Sequence, residues 1–198
     1  MYPLLETIKI SDGMPCNLFW HQERYNYSFE VYFNHKPGLI LHEVIKVPDN
    51  YKSGQVKARL LYNKDICKLE FQKYVPAVIR TLKLVENNNI EYSLKYSNRT
   101  LIKEMFQQRG KNDDILIVKN GRITDSSISN IVFFDGRKWY TPEYPLLKGT
   151  ARAKLLEEER IFIKDITLED LRLFTHFRLI NSMLDFDDQN MLEISAIK

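Results

Sequence analysis

The sequence predicts an α+β protein with α/β character, built as two subdomains. Three observations carry this: a helical stretch followed by three runs of strand pattern in the first half, a polar break at Asn87-Asn88-Asn89, and two hairpin signals in the second half. Residues 17–34, NLFWHQERYNYSFEVYFN, place Leu18, Tyr25, Phe29, Tyr32 and Phe33 at near-helical spacing, and Pro37-Gly38 ends the segment. Apolar-polar alternation in VKARLLY (56–62), ICKLEFQKY (66–74) and residues 78–85 predicts three strands, the first two joined by a hairpin at Asn63-Lys64-Asp65. The asparagine-rich break sets the expected boundary, giving subdomains 1–87 and 88–198. A ligand site is expected in the cleft between them, a common location for pockets.

The second half opens with a short helix over Thr100–Gln108. Asn120-Gly121, between ILIVK and RIT, and Asp135-Gly136, between NIVFF and KWYT, predict type I′ turns, which need positive φ at both central residues. A helix is expected after Gly149 (TARAKLLEEER), and another from Thr167, where Thr167 and Asp170 make an approximate capping box. HFRLIN (176–181) is the last strand candidate.

With 198 residues and 44% apolar side chains, the chain is long enough to bury a substantial core. The 29 basic and 26 acidic residues are spread without basic runs, a net charge of +3 that carries no nucleic-acid or polyanion signature and leaves a small anionic ligand open. The N-terminal MYPLLETIKISDG lacks a basic and then apolar leader, and no apolar run reaches membrane-span length, so a cytoplasmic protein without a membrane partner is expected. Cys16 and Cys67 lack metal-like spacing and read as buried or unpaired thiols in a reducing compartment, with a single disulfide between them left open. His21, His35, His42 and His176 are scattered singly, so no metal site is expected. The serine elbow, the Walker loop, the dinucleotide glycine fingerprint and HExxH are all missing.

The series LLETIKISDG, NLFWHQER, SLKYSNR, DILIVKNGRITDSSISNIVFF, WYTPEYPLLKGTARAKLL and LINSML, which spans nearly the whole chain, resembles the motif order of class IV aminotransferases. The most specific part runs from the lysine segment through an acidic residue and SN-I-V-F to the L-x-G-x-x-R turn. The resemblance implies the D-amino acid aminotransferase-like architecture of fold-type IV enzymes, with pyridoxal 5′-phosphate in the cleft between the subdomains. It is nearest to the aminodeoxychorismate lyase-like members, with branched-chain or D-amino acid transamination and a non-catalytic cofactor-binding role as the alternatives. It also implies a small-molecule amine substrate and a homodimer.

Under this resemblance Lys95 matches the Schiff-base lysine, a role that needs a neutral amine. Arg24 matches the arginine that grips the cofactor phosphate with a bidentate fork, and His21, on the same helical face, supports it. Gly149, Thr150 and Ala151, opening a helix, and Asn181 with Ser182 match the other phosphate contacts. Ala151 departs from relatives that carry a hydroxyl residue there. Leu147 matches the residue packed on the cofactor ring. Asp125 stands where the family usually has glutamate to hold the pyridine nitrogen protonated. Asn130 is expected to stabilise the turn after Asp125. Thr7, Lys9, Arg59 and Tyr62 are the candidates for recognising a substrate carboxylate. Read without the resemblance, Lys95 is a solvated surface charge, Arg24 a helix arginine in a salt bridge, Asp125 a turn-capping residue and Leu147 a core residue.

Overall fold

Strand β1 (Leu4–Ser11) pairs antiparallel along its whole length with β3 (Gln55–Tyr62), Leu4 opposite Tyr62 and Ser11 opposite Gln55. The structure is a computed structural model, describes residues 1–186 and 191–198, and divides into two compact units. The first holds Met1–Pro76 with Leu94–Asn98, the second Ala77–Ser93 with Arg99–Lys198.

In the first unit, β2 (Met14–Pro15) and β4 (Cys67–Lys73) complete a sheet of order β2-β1-β3-β4. Side chains alternate across a strand, so Leu4, Ile8 and Ile10 share a face with Val56, Ala58, Leu60 and Tyr62. That face packs on Tyr25 and Phe29 of α1 (Leu18–Phe33) and on Leu41 of the single-turn α2 (Leu41–Val44). Each such aliphatic side chain, fully buried, contributes about 1.5–3 kcal/mol. Asn34, in the left-handed region at φ 49°, ends α1 by donating its amide to the Glu30 carbonyl. Asn63 Oδ1 accepts the amides of Asp65 and Ile66, which fixes the predicted β3–β4 turn.

The second unit is an eight-stranded mixed sheet. Its main path takes in β5 (Leu82–Glu86), β6 (Asp114–Lys119), β7 (Arg122–Ser126), β8 (Asn130–Phe134), β9 (Trp139–Pro142) and β10 (Phe162–Lys164), in spatial order β10-β9-β8-β7-β6-β5. β11 (His176–Ile180) pairs with β8 and with β12 (Leu192–Glu193). Between its charged ends Asp114 and Lys119, β6 is apolar from Ile115 to Val118 because both its faces are covered. Leu116 and Val118 join a cluster with Ile131, Phe133 and Phe177, whereas Ile115 and Ile117 pack on Ile102 and Met105 of α3 (Thr100–Gln107). Val132 and Ile180 meet Leu155 of α4 (Thr150–Glu157).

Three expectations are corrected. The third predicted strand, observed as β5, pairs parallel with β6 and lies in the second unit, so the first division falls after Pro76, not at residue 87. Alternation shows that a segment is a strand but not which sheet receives it. Parallel pairing demands a long crossover, here residues 87–113, and this crossover lends Leu94–Asn98 to the first unit. The Asn120-Gly121 turn has the two positive φ values, 52° and 74°, but at the next hairpin only Gly136 is positive. There Asp135 Oδ1 accepts the amides of Arg137 and Lys138, so Asp135 leads the turn instead of occupying its centre. The capping box at residue 167 forms, with the Thr167 amide on Asp170 Oδ2 at 2.9 Å, yet the segment is only a 3-10 turn, Glu169–Leu173.

Cys16 and Cys67 are free thiols, half-buried and exposed respectively. Among the described residues no helix is long and apolar enough to cross a membrane.

Candidate active site

The first unit buries a charged cluster under its sheet. Glu6 sits on the core face of β1 between Leu4 and Ile8, opposite Leu60, and is fully buried. His21 and Arg24, three residues apart on α1, turn the same helical face toward it. Arg24 Nε donates to Glu6 Oε1 at 2.8 Å and Nη2 donates to Oε2 at 2.5 Å. His21 Nδ1 lies 2.6 Å from Oε2. Burial alone would raise the Glu6 pKa, but the Arg24 charge and the hydrogen bonds from His21 and Arg24 outweigh it and hold the carboxyl at about 2. An ionised carboxylate only accepts hydrogen bonds, so Nδ1 carries the proton between them. Burial pushes the His21 pKa below its ordinary value, against the hydrogen bond and charge of Glu6. Nε2 is therefore the bare nitrogen of a neutral ring, and it is buried with no hydrogen-bond partner among the described residues.

Lys95 is half-buried on a strap along β1: its carbonyl accepts the Leu5 amide at 3.1 Å, Tyr96 bridges to Leu4, and the Ser97 amide reaches the Pro3 carbonyl at 2.8 Å. Leu94 anchors the strap in the core. The Lys95 charge also depresses the His21 pKa. The first unit thus gathers Lys95, His21 and Arg24 around the strand that bears Glu6.

The proposed carboxylate readers divide between the two faces of the same sheet. Thr7 and Arg59 are directly opposite each other on the face away from Glu6, with Arg59 Nη1 3.1 Å from Glu70 Oε2. Lys9 is buried on that face. Tyr62 is a correction: it is 2% exposed, meets Tyr25 edge-on at 4.9 Å, and shares a hydrogen bond with Ser28. Residues three apart in a strand face opposite ways, so Tyr62 belongs to the core and cannot act beside Arg59.

In the second unit Asp125 and Asn130 are cross-strand partners of β7 and β8, closing a hairpin over Ser126–Ser129. Asp125 is buried, with Oδ1 accepting Asn130 Nδ2 at 2.7 Å and Oδ2 accepting the Leu147 amide at 2.9 Å. The second hydrogen of Asn130 Nδ2 goes to the Leu147 carbonyl at 2.8 Å. Burial raises the Asp125 pKa, opposed by the hydrogen bonds of Asn130 and Leu147 and by the Arg152 charge, and leaves it at about 6. Gly149 precedes α4 with ordinary dihedrals, but a Cβ there would meet Asn130 Oδ1 at 2.1 Å. The glycine is thus required by the approach of Asn130.

Arg152 is buried and ties α4 to β9, Nε to Thr141 Oγ1 at 3.2 Å and Nη2 to the Pro142 carbonyl at 2.9 Å. This accounts for the L-x-G-x-x-R run: Leu147 holds Asp125 through its backbone, Gly149 admits Asn130, and Arg152 anchors the helix. Thr150 and Ala151 open α4, where amides have no intrahelical acceptor. Asn181 reaches Ser129 Oγ through Nδ2 at 2.8 Å and accepts the Met183 amide, which ties the turn carrying Ser182 to the Ser126–Ser129 hairpin.

The family model for class IV amino-transferases matches residues 3–197. The chain belongs to this family. A curated relative from Haemophilus influenzae is 42% identical over 185 residues, 92% of this chain and 98% of its own. The crystal structure of a candidate 4-amino-4-deoxychorismate lyase from Haemophilus somnus is 36% identical, with a TM-score of 0.88 over 94% of this chain and 98% of that one. The fold is also that of a hypothetical aminotransferase from Mycobacterium tuberculosis in its pyridoxal-phosphate-bound form, at 17% identity, TM-score 0.79, and coverage of 98% and 81%.

Class IV aminotransferase family members are pyridoxal-phosphate-dependent lyases and aminotransferases, and the chain is an enzyme of that group. Its residues fit the cofactor chemically. Arg24 keeps Nη1 beyond its two bonds to Glu6, and the orphaned His21 Nε2 lacks only a ligand. Asp125 has spare lone pairs, since each carboxylate oxygen accepts two hydrogen bonds. Sequence reasoning overlooked Glu6, although its signal was there: a carboxylate on the apolar face of LLETIKI.

Proposed function

We propose that the protein is a 4-amino-4-deoxychorismate lyase, converting its substrate to 4-aminobenzoate and pyruvate for folate synthesis. The likeness to the Haemophilus somnus protein along nearly the full length of both chains carries this reading. When bound, pyridoxal 5′-phosphate supplies the aldehyde that engages the substrate amine and the ring that draws electrons away from the amine-bearing carbon. Lys95 Nζ would hold the cofactor and, when free, would accept the proton from that carbon. The carbon–oxygen bond on the adjacent carbon would then break as the ring becomes aromatic, and the enolate of pyruvate that leaves would take back the proton held by Lys95, with no second substrate consumed. The residues that the family resemblance assigns to the phosphate are Arg24 in the first unit and Gly149, Thr150, Ala151, Asn181 and Ser182 in the second. Leu147 would pack on the cofactor ring, and Asp125 would hold its nitrogen protonated. Thr7 and Arg59 are the groups for the substrate carboxylate.

The reading includes a cytoplasmic homodimer. Phe19, Tyr27 and Val31, at four- and eight-residue spacing on α1, are large apolar side chains left exposed in one chain, which supports a partner there.

The purified enzyme with aminodeoxychorismate should give repeated turnovers of 4-aminobenzoate and equal pyruvate without any keto acid, and Lys95→Ala should abolish this. A wild-type enzyme that makes no 4-aminobenzoate, yet converts D-alanine or leucine once a keto acid is added, would replace the lyase with an aminotransferase.

A further inference from the structure

The Glu6 carboxylate does nothing in the reaction just described, yet it is among the most constrained groups in the first unit. It is fully buried, three short contacts converge on its two oxygens, and it follows Leu5, whose amide bonds the carbonyl of Lys95 on the strap alongside β1. A guanidinium has five N–H donors. The side-on pairing with Glu6 uses Nε and one hydrogen of Nη2, so the outer edge of Arg24, centred on Nη1, is held in one orientation while the arginine stays 10% exposed. On its other flank Glu6 demands the Nδ1 proton of His21, which fixes the ring plane and aims Nε2 away from the carboxylate. Nε2 is fully buried and unpartnered among the described residues, so it is a polar atom held for something the protein itself does not supply.

We propose that Glu6 is the positioning residue of an anion cradle, holding Arg24 Nη1 and His21 Nε2 in place for the cofactor phosphate. The proposal rests on the pyridoxal-phosphate reading above and adds a residue to it. Glu6 cancels the charge of Arg24, so the pair is neutral, and His21 is the remaining group on α1 that can bring positive charge to the anion. A lone pair on Nε2 facing a phosphate oxygen is repulsive. Phosphate binding therefore favours a proton on Nε2, in a field set by Glu6 on β1, Arg24 on α1 and Lys95 on the strap. Glu6, anchoring Nδ1–H, stabilises the resulting imidazolium.

The test separates phosphate recognition from folding. The full-length protein freed of cofactor is titrated with pyridoxal 5′-phosphate and with pyridoxal, which lacks the phosphate, and His21 is followed by nitrogen-15 resonance. In Glu6→Gln, affinity for pyridoxal 5′-phosphate should fall about tenfold or more while that for pyridoxal changes less than about twofold. Glu6→Asp, with its charge kept one methylene short, should fall between the two and covers the case in which Glu6→Gln does not fold. In the wild type His21 should show a protonated Nδ1 and bare Nε2 when free, and a protonated Nε2 once pyridoxal 5′-phosphate is bound. Equal loss for both ligands, an undiminished preference for the phosphate form, or an Nε2 that stays bare would overturn the positioning role. A wild-type protein that binds no pyridoxal 5′-phosphate at all would overturn the cofactor reading itself, an outcome visible before any variant is made.

Discussion

Glu6 and Asp125 are both carboxylates shut away from solvent, and they lie at opposite ends of the carboxylate range, about 2 against about 6. Burial pushes both upward. The difference is the nature of the donors: Glu6 touches the Arg24 guanidinium directly, whereas Asp125 is held by the neutral amides of Asn130 and Leu147. Arg152 acts on Asp125 only through its field, because its own hydrogen bonds go to Thr141 and Pro142. Contact with a cation, not the number of hydrogen bonds, decides which way a buried acid titrates here.

The largest effect should come from breaking the first cluster. Glu6→Ala leaves His21 and Arg24 buried together without their counter-charge and should cost about 3–5 kcal/mol in urea unfolding. A loss below about 1 kcal/mol would show that solvent reaches Arg24 freely, since that is the range of exposed pairs.

The second effect is a pH slope whose sign differs between the two acids. Asp125 has a folded pKa raised from 3.8 to about 6, so the unfolded chain releases this proton first and stability falls as pH rises through that window. The loss is on the order of 3 kcal/mol and is complete above the folded pKa. Glu6 is lowered from 4.5 to about 2, so its contribution is whole above 4.5 and disappears as pH falls toward 2. Asp125→Asn should therefore flatten the decline between 3.8 and about 6 while leaving the acid limb below 4.5 in place, as read from unfolding free energies across pH. An unchanged slope in the upper window would mean that Asp125 is not the group responsible.

The smallest effect provides the control. Arg59 and Glu70 form an ion pair of 3.1 Å with both side chains more than a third exposed. Arg59→Ala should cost less than about 1 kcal/mol in the same unfolding measurement, because solvent screens the pair. A cost equal to that of Glu6→Ala would remove burial as the explanation of the contrast.

The sequence disclosed most of this architecture where the signal is local. The 17–34 helix, the 56–62 and 66–74 strands and the Asn120-Gly121 turn follow from periodicity and positive φ, and all are present. It misled where the answer is set across the fold. Alternation at 78–85 could not reveal a parallel partner at β6, and the strap at 94–98 is assigned by pairing with β1. The candidate site divides the same way. Arg24 and Asp125 stand out in their motifs, but the Glu6 partner of Arg24 lies on another element and is not legible from the HQER segment alone. Tyr62 lies on the core face of β3, which strand alternation alone does not distinguish from the open face.

Gly149 bears on how this enzyme can change over generations. With Asn130 Oδ1 occupying the space of a side chain at 149, and Asn130 in turn clasping Asp125 and Leu147, positions 125, 130 and 149 are not independent sites of variation. Lengthening Asp125 to glutamate, the residue usual in the family, adds a methylene that Asn130 or the Leu147 backbone must yield to, and Asn130 has no room on the Gly149 side. Exchange at 125 is therefore tied to the identity of 130, and any residue larger than glycine at 149 is admissible only after Asn130 has gone. Lineages that differ at one of these positions should differ at the others as a set.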